Sequence, residues 1–333
     1  MSAQDQPLIV SVIIPFFQRE SGLLLKCVES IRQQEGPFQL EVVVVDDSSP
    51  VAAIAELATV LAEDNRIRVL QQDNAGPGAA RNKGLDNVSA ESQYIAFIDS
   101  DDWWQPGFLQ CAIAALERGF DIFFCDSQRV GFTDSRFQWQ QQQELNLLGT
   151  AHHCLDTTMQ IYAYQGDFFD YAIVRSNIIS TSALVYRRAI AKHLRFSTKL
   201  FNGQDRLFKL QLAQISTAVV FSDRVLVQEG TGINIFDSAK WGTAKSVVLL
   251  CNYLKLNKAI LRELTLNRVQ KQRIKHKLNQ TRYSLVASML HLLKARESFN
   301  WKLIGSASKA DLAFVLLFLP NVVRVILGKK PKP

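Results

Sequence analysis

The polarity pattern changes period repeatedly over the first 125 residues. Residues 8–15, Leu-Ile-Val-Ser-Val-Ile-Ile-Pro, form a short and almost continuously apolar run. That is how a strand buried on both faces reads, and Pro15 is expected to stop it. Apolar positions at helical spacing follow from Leu23 to Ile31. A second strand is expected over Glu41 to Val45, ending in Asp46-Asp47-Ser48-Ser49-Pro50, then a helix over about Val51 to Ala62 and a third strand over Ile67 to Gln71. The turn Asn74-Ala-Gly76-Pro77-Gly78 opens a helix through Leu85. Tyr94 to Ile98 is a fourth strand, and the helix after Pro106 leads to a fifth at Asp121 to Cys125. Strands alternating with helices predict an α/β, right-handed, doubly wound sheet.

From 126 to 180 the pattern is irregular, with the glutamine run Gln140–Gln143, the pair His152-His153 and several aromatics, so insertions and loops are expected there. Thr181 to Tyr186 reads as a strand, Asp205 to Gln214 as a helix and Ala218 to Phe221 as another strand. Beyond Lys240 the pattern is helical and basic, with no proline before Pro320. The organisation expected is a body over 1–239, divided near 125, and a helical extension over 240–333.

Charge sharpens that division. The net charge of +7 hides 19 Lys+Arg against 28 Asp+Glu in residues 1–239, or −9, and 19 against 3 in residues 240–333, or +16. An acidic body with a basic tail implies a polyanionic surface as partner, either lipid or nucleic acid. The cysteines Cys27, Cys111, Cys125, Cys154 and Cys251 are scattered without a C-x-x-C pair, which fits a reducing compartment. No signal peptide is visible, and no segment offers the roughly 20 uninterrupted apolar residues of a spanning helix. The nearest, Leu312 to Leu327, is interrupted by Pro320, Asn321 and Arg324. A cytoplasmic protein lying on the inner face of the cell membrane is the expectation.

The chemistry sits where strands end. Tyr94 to Ile98 runs straight into Asp99, Asp101 and Asp102, and the second strand runs into Asp46 and Asp47. Both clusters fall on the C-terminal edge of one sheet, where open α/β folds bind ligands. Packed carboxylates repel one another unless a cation joins them, and Mg²⁺ or Mn²⁺ prefers oxygen ligands. A solvated acidic turn ahead of a helix, or acids capping that helix, is the plainer alternative for either cluster alone. The two together, with Gly76-Pro77-Gly78 between them, favour a nucleotide-diphosphate site. No G-x-G-x-x-G follows the first strand, and there is no Walker A loop or G-x-S-x-G elbow. His152, His153 and Cys154 have poor spacing for zinc and read as a surface loop.

These blocks carry a resemblance. Val-Ser-Val-Ile-Ile-Pro, Val-Val-Asp46-Asp47-Ser48-Ser49, Asn74-x-Gly76-x-Gly78-x-Ala80-Arg81-Asn82-x-Gly84 and Phe-Ile-Asp99-Ser-Asp101-Asp102 resemble family 2 glycosyltransferases, densely to about 125 and loosely to about 235. Residues 76–88 and 229–236 are similar to the ExoW-like glucosyltransferases of succinoglycan-type exopolysaccharide assembly. The resemblance implies a GT-A fold with a mixed sheet, a nucleotide-binding half over 1–125 and an acceptor half over 126–239. It implies inverting transfer of glucose from UDP-glucose to a lipid-linked oligosaccharide with Mn²⁺ or Mg²⁺. Carried over by position, Pro15 and Phe17 would line the nucleotide pocket, Asp47 would bind uracil, and Asp99 would face the ribose or donor sugar. Asp101 would be the metal ligand. Arg81 would lie near the diphosphate, hold the acid loop, or form only a helix-surface ion pair. The family's base would be Asp205 in Asn202-Gly203-Gln204-Asp205-Arg206, where Gln204 replaces the common acid; a simple helix cap is the other reading. Gly230 and Gly232 would hinge a loop over the donor, or make an ordinary strand connection. Trp103 and Trp104 would divide between core and sugar stacking, or both lie in the core. The tail from Leu312, with Lys329, Lys330 and Lys332, suits an interfacial helix on an anionic membrane or a helix packed on the domain. A nucleic-acid-binding protein using that tail would leave the acids unexplained, and no nucleic-acid motif is present. An inactive scaffold is the remaining alternative, kept open by Gln204.

Overall fold

The short apolar runs become neighbouring strands because each is buried on both faces and its backbone groups are satisfied only by pairing. In this computed structural model, residues 7–139, 145–175, 177–232 and 240–329 are described; the glutamine run Gln140–Gln143 lies outside them. In chain order the elements are β1 (Leu8–Phe16), α1 (Leu23–Arg32), β2 (Phe38–Asp46), α2 (Ala53–Glu56), α3 (Ala58–Glu63), β3 (Ile67–Gln71), α4 (Pro77–Asn87), β4 (Tyr94–Phe97), β5 (Trp103–Trp104), α5 (Phe108–Leu116) and β6 (Ile122–Arg129). They continue with β7 (His153–Asp156), β8 (Ile161–Ala163), α6 (Phe168–Val174), β9 (Leu184–Arg187), α7 (Gln204–Ile215) and β10 (Val219–Glu229). The last five are α8 (Ala244–Glu263), α9 (Arg268–Lys294), α10 (Trp301–Ala310), α11 (Leu312–Leu316) and α12 (Phe318–Ile326).

The sheet runs β3-β2-β1-β4-β9-β6-β10-β8-β7, with β5 paired to β10. Strands β3, β2, β1 and β4 are parallel, in a register that puts Phe16 opposite Asp46 and Ile13 opposite Phe97. Strand β9 is antiparallel to both β4 and β6, which makes the sheet mixed. Among the described residues, those within 1–198 and 208–233 form one compact unit, and those within 199–207 and 234–333 form a second.

Four local expectations are corrected. Pro15 does not stop β1: the proline sits opposite Val45 and the strand runs on to Phe16. The helix after Pro50 breaks at Leu57 into α2 and α3. Residues 181–183 form a 3₁₀ turn ahead of β9 rather than the start of a strand. The histidine segment is not a loop: His153 and Cys154 pair with β8, while the His152 ring packs on Tyr164 and Phe221 and its Nδ1 accepts the Gln165 N–H at 3.0 Å.

The core of the first unit joins β1, β2 and β4 to α1 and α5, through Val12, Ile14, Val44, Ala96, Val28, Leu109 and Ala112. Helix α4 approaches β1 so closely that a Cβ at Gly84 would stand 2.4 Å from Ile13 Cγ2. In the second unit α8 to α12 gather around Cys251, Leu254, Leu285, Met289, Leu292 and Phe314. Asn267 and Gln270 form a reciprocal capping box at the start of α9, satisfying donors that the helix itself leaves over.

Gly84 gives the first prediction. Overpacked sites typically cost about 1–3 kcal/mol, so Gly84→Ala should lower the unfolding free energy of the first unit by that amount in urea denaturation. An unchanged midpoint would show that α4 stands off the sheet.

Candidate active site

The two acids that end β2 have different tasks. Asp46 Oδ1 accepts the Ser49 N–H at 2.7 Å and Oδ2 accepts the Ala53 N–H at 2.9 Å, which ties the turn to the first residue of α2. Asp47 faces the next loop. Its Oδ1 accepts from Gln72 Nε2 at 2.7 Å and Ala75 N at 2.8 Å, and its Oδ2 accepts from Gly76 N at 2.8 Å. Its own N–H donates to Phe16 O at 2.9 Å, next to Pro15, which is buried, and Phe17, which is half-buried. Asp47 therefore fixes the Gly76 turn from which α4 starts, and α4 delivers Arg81.

Arg81 is only 3% exposed, so it is no helix-surface ion pair. Its Nη2 bonds Asp99 Oδ1, its guanidinium lies 5.4 Å from the centre of the Phe196 ring, and its Nε and Nη1 are buried with no partner. Two unmatched donors beside an acid loop form a cationic fork with capacity for a further anion.

Beyond β4 the acid loop is held from two sides. Ser182 Oγ accepts the Asp99 N–H at 3.0 Å and donates to Asp102 Oδ2. The carbonyl of Ser182 accepts Trp104 Nε1–H at 2.7 Å. From β10, whose Val227 and Gln228 pair with Trp104 and Trp103, the chain continues directly over the acids. Gly230 N–H donates to Asp102 Oδ1 at 2.8 Å and Gly232 N–H to Asp101 Oδ2 at 2.9 Å. Only glycine fits there: a Cβ on Gly230 would lie 1.9 Å from Asp101 O, and one on Gly232 2.7 Å from the Asp101 carboxylate. Trp104 is buried against Phe108, while Trp103 is half-buried with Lys26 Nζ 3.0 Å from its ring centre.

The electrostatics follow from this crowding. Burial raises the Asp101 pKa, with the Asp99 charge adding to it. Burial also lifts Asp102 well above the usual carboxylate range, with Asp99 and Asp101 adding to the effect. Crowding and burial thus disfavour the charged form of both acids, and a cation beside them would restore it. Among the described residues no three His, Cys, Asp or Glu side chains converge as a ready-made metal cage. What the loop offers is crowded carboxylate oxygens, which suit a hard divalent cation that takes its other ligands from water and phosphate.

Asp205 sits in the first turn of α7, in the stretch that groups with the second unit. Around it Asn202 and Gln204 are each 4% exposed, and both polar atoms of the Asn202 amide and Oε1 of Gln204 lack partners. Gly203 has a φ of +84° and its Cβ position lies 2.7 Å from Leu256 Cδ2. Burial lowers the Arg206 pKa, and it pushes the Lys277 ammonium down to about 8, with Arg206 and Arg273 adding to the shift. The position of the usual second acid thus carries a buried neutral amide, and Arg206, the residue after Asp205, interacts with it electrostatically.

Sequence reasoning missed Ser182, Gln18 and Ser100, the last two joined by a hydrogen bond of 3.2 Å. A serine inside an apolar run carries no pattern that marks it. The Gly230-x-Gly232 pair did carry a signal, because two glycines follow a strand end.

Similarity to known proteins agrees with this geometry. The family model for Glycosyl transferase family 2 matches residues 11–194. The chain is 32% identical to the succinoglycan biosynthesis protein ExoW of Rhizobium meliloti over 231 residues, which is 69% of this chain and 71% of that protein. It is 38% identical to the putative glycosyltransferase EpsH of Bacillus subtilis over 102 residues, 30% of this chain and 28% of EpsH. Among solved structures, S. aureus TarS 1-349 in complex with UDP-GlcNAc superposes with a TM-score of 0.60 at 16% identity, covering 98% of this chain and 93% of that one. The mannosyltransferase PcManGT from Pyrobaculum calidifontis, in complex with GDP-Man and Mn²⁺, gives 0.54 at 15% identity over 96% of this chain and 88% of that one. At such identity these two structures speak for the GT-A fold.

The glycine clamp yields a local prediction. Gly230→Ala should raise amide hydrogen exchange in residues 229–232 and around Asp101 and Asp102 by about tenfold or more, since losing a bond of this kind costs about 1.5–3 kcal/mol. Exchange in β1, β2 and β4 should not move. Unaltered exchange over the clamp would show that the loop does not bear on the acids.

Proposed function

The chain belongs to glycosyl transferase family 2, and from that premise we propose that it moves glucose from UDP-glucose to a lipid-linked oligosaccharide in surface-polysaccharide synthesis, with inversion at the anomeric carbon. The observation that supports this reading is the acid loop after β4, in which Asp99, Asp101 and Asp102 crowd at a strand end beside the half-satisfied guanidinium of Arg81. Such a loop is suited to hold a nucleoside diphosphate through a shared cation. Mn²⁺ or Mg²⁺, bound through Asp101, would supply charge stabilisation for the leaving diphosphate.

The chain's own residues would do the rest. Pro15 and Phe17 would face the base and Asp47 would bind uracil, with Asp99 at the ribose or donor sugar. Asp47 already accepts three hydrogen bonds, so uracil would use the remaining acceptor capacity of Oδ2. Arg81 would keep Asp99 in place and direct its two free donors at the diphosphate. Asp205 would take the proton of the acceptor hydroxyl while that oxygen attacks the anomeric carbon and the bond to UDP breaks. The relatedness to ExoW supports the polysaccharide setting. A protein of the cytoplasmic side, held at the inner face of the membrane, would meet both the soluble donor and the lipid-linked acceptor. Among the described residues no helix is long and apolar enough to cross a membrane.

Two substitutions test the assignment. Asp101→Ala should abolish transfer and the metal-dependent part of UDP binding in calorimetry while the circular dichroism spectrum is kept; UDP binding that stayed equally metal-dependent would refute the metal role. Asp205→Asn should leave UDP affinity nearly intact and lower turnover by at least about 10²-fold, the smaller end of what a general base contributes. Near-normal turnover with a defined acceptor would mean that the base lies elsewhere.

A further inference from the structure

The last two helices bury one side and leave the other bare. Helix α11 and helix α12 are separated only by Leu317, whose φ of −89° and ψ of 2° barely break the spiral. Phe314 is 2% exposed in the core of the second unit, and Phe318, Val322 and Val325 pack against that core. The opposite side shows Leu312, Leu316, Leu319, Val323, Ile326 and Leu327 at 72%, 79%, 72%, 54%, 75% and 60% exposure. At 3.6 residues per turn these positions fall in one stripe roughly 100° wide. Monomeric proteins rarely leave a contiguous aliphatic surface of this kind uncovered.

The stripe cannot simply roll inward. Asp311, fully buried at the corner between α10 and α11, takes a two-point ion pair from Arg282, with Nε–Oδ2 at 2.6 Å and Nη2–Oδ1 at 2.7 Å. Lys258 Nζ adds a third contact at 3.5 Å. Removing one partner of such a buried pair leaves an uncompensated charge, so the corner is held and with it the face that α11 turns outward.

Charge selects the occupant. No acidic residue lies between Asp311 and Pro333, whereas Lys309 in the last turn of α10, Arg324 in α12 and Lys329 just after it are exposed, and Lys330 and Lys332 follow in the sequence. An aliphatic stripe flanked only by cations complements the anionic headgroups and upper acyl chains of a bilayer. We propose that α11 and α12 form a preset docking face that lies in the interface of an anionic membrane, with Leu316, Leu319 and Ile326 entering the acyl region. This rests on the proposed function only for its purpose, the approach to a lipid-linked acceptor. Docking itself requires no transfer chemistry.

The experiment uses the full chain and vesicles of phosphatidylglycerol and phosphatidylcholine in equal parts, with pure phosphatidylcholine as control. The variant Leu316→Gln/Leu319→Gln/Ile326→Gln changes only exposed side chains, so its fold is expected to be kept and is checked by circular dichroism. The wild type should float with the anionic vesicles in low salt and less in 0.5 M salt. The variant's partition coefficient should be at least tenfold lower, with hydrolysis of soluble UDP-glucose the same in both proteins. Equal flotation of both proteins, or none by the wild type, overturns the proposal. A wild-type dimer in light scattering that the variant loses, without vesicle binding, assigns the stripe to a second copy and overturns it too. Absence of donor hydrolysis in both proteins would count against the glycosyltransferase reading and leave the docking result standing.

Discussion

One electrostatic constraint organises the sheet edge: Asp99, Asp101 and Asp102 crowd into four consecutive positions at the end of a strand with no solvent on either face. Burial and mutual repulsion drive Asp101 and Asp102 toward protonation, so the surroundings must supply donors or positive charge. They do so from three separate parts of the chain. Helix α4 brings Arg81 to Asp99 Oδ1, the turn before β9 brings the Ser182 hydroxyl to Asp102 Oδ2, and the segment after β10 lays the N–H groups of Gly230 and Gly232 on Asp102 Oδ1 and Asp101 Oδ2. The antiparallel strand β9, inserted between β4 and β6, is what makes the second of these possible. Arg136 closes onto Glu229 and fixes the point from which the glycine clamp departs.

The parallel half of the sheet was legible because each strand there is a short apolar run bounded by turn residues, and the period of the pattern depends on burial alone. Pairing partners were not legible in that way. Nothing in Leu184–Arg187 says that it runs against its neighbours, and nothing in 153–163 separates a hairpin of mixed polarity from a loop. The acids announced themselves as a cluster, yet their separate duties did not. Asp46 and Asp47 are adjacent and identical in type, but one ties a turn to a helix start and the other holds a loop 28 residues onward. That difference depends on which way alternate side chains point from β2 and on the path of the following turns. Ser182 was invisible for a related reason: a hydroxyl in an apolar run gains meaning only from what the fold places opposite it.

The second unit shows how a helix can serve two surfaces. The apolar residues of α11 and α12 read in sequence as an interfacial helix or as a helix packed on the domain. The structure divides them, giving Phe314, Phe318, Val322 and Val325 to the interior and Leu312, Leu316, Leu319 and Leu327 to the outside. The dividing line is set by Asp311 and Arg282, a buried pair 29 residues apart in the chain. The same unit carries Asp205 among buried amides and cations, where Lys277 has already lost part of its affinity for its proton.

The claim on which the account depends is that the acid loop handles a nucleoside diphosphate sugar through a divalent cation. The most direct measurement is release of nucleoside diphosphate by the unmodified chain from a panel of UDP-, GDP- and dTDP-sugars, with Mn²⁺, with Mg²⁺ and with chelator. The account predicts turnover of a UDP-sugar, highest for UDP-glucose, that appears with either cation and vanishes on chelation. Turnover undiminished by chelator, or no turnover of any sugar nucleotide by a folded protein, would contradict it.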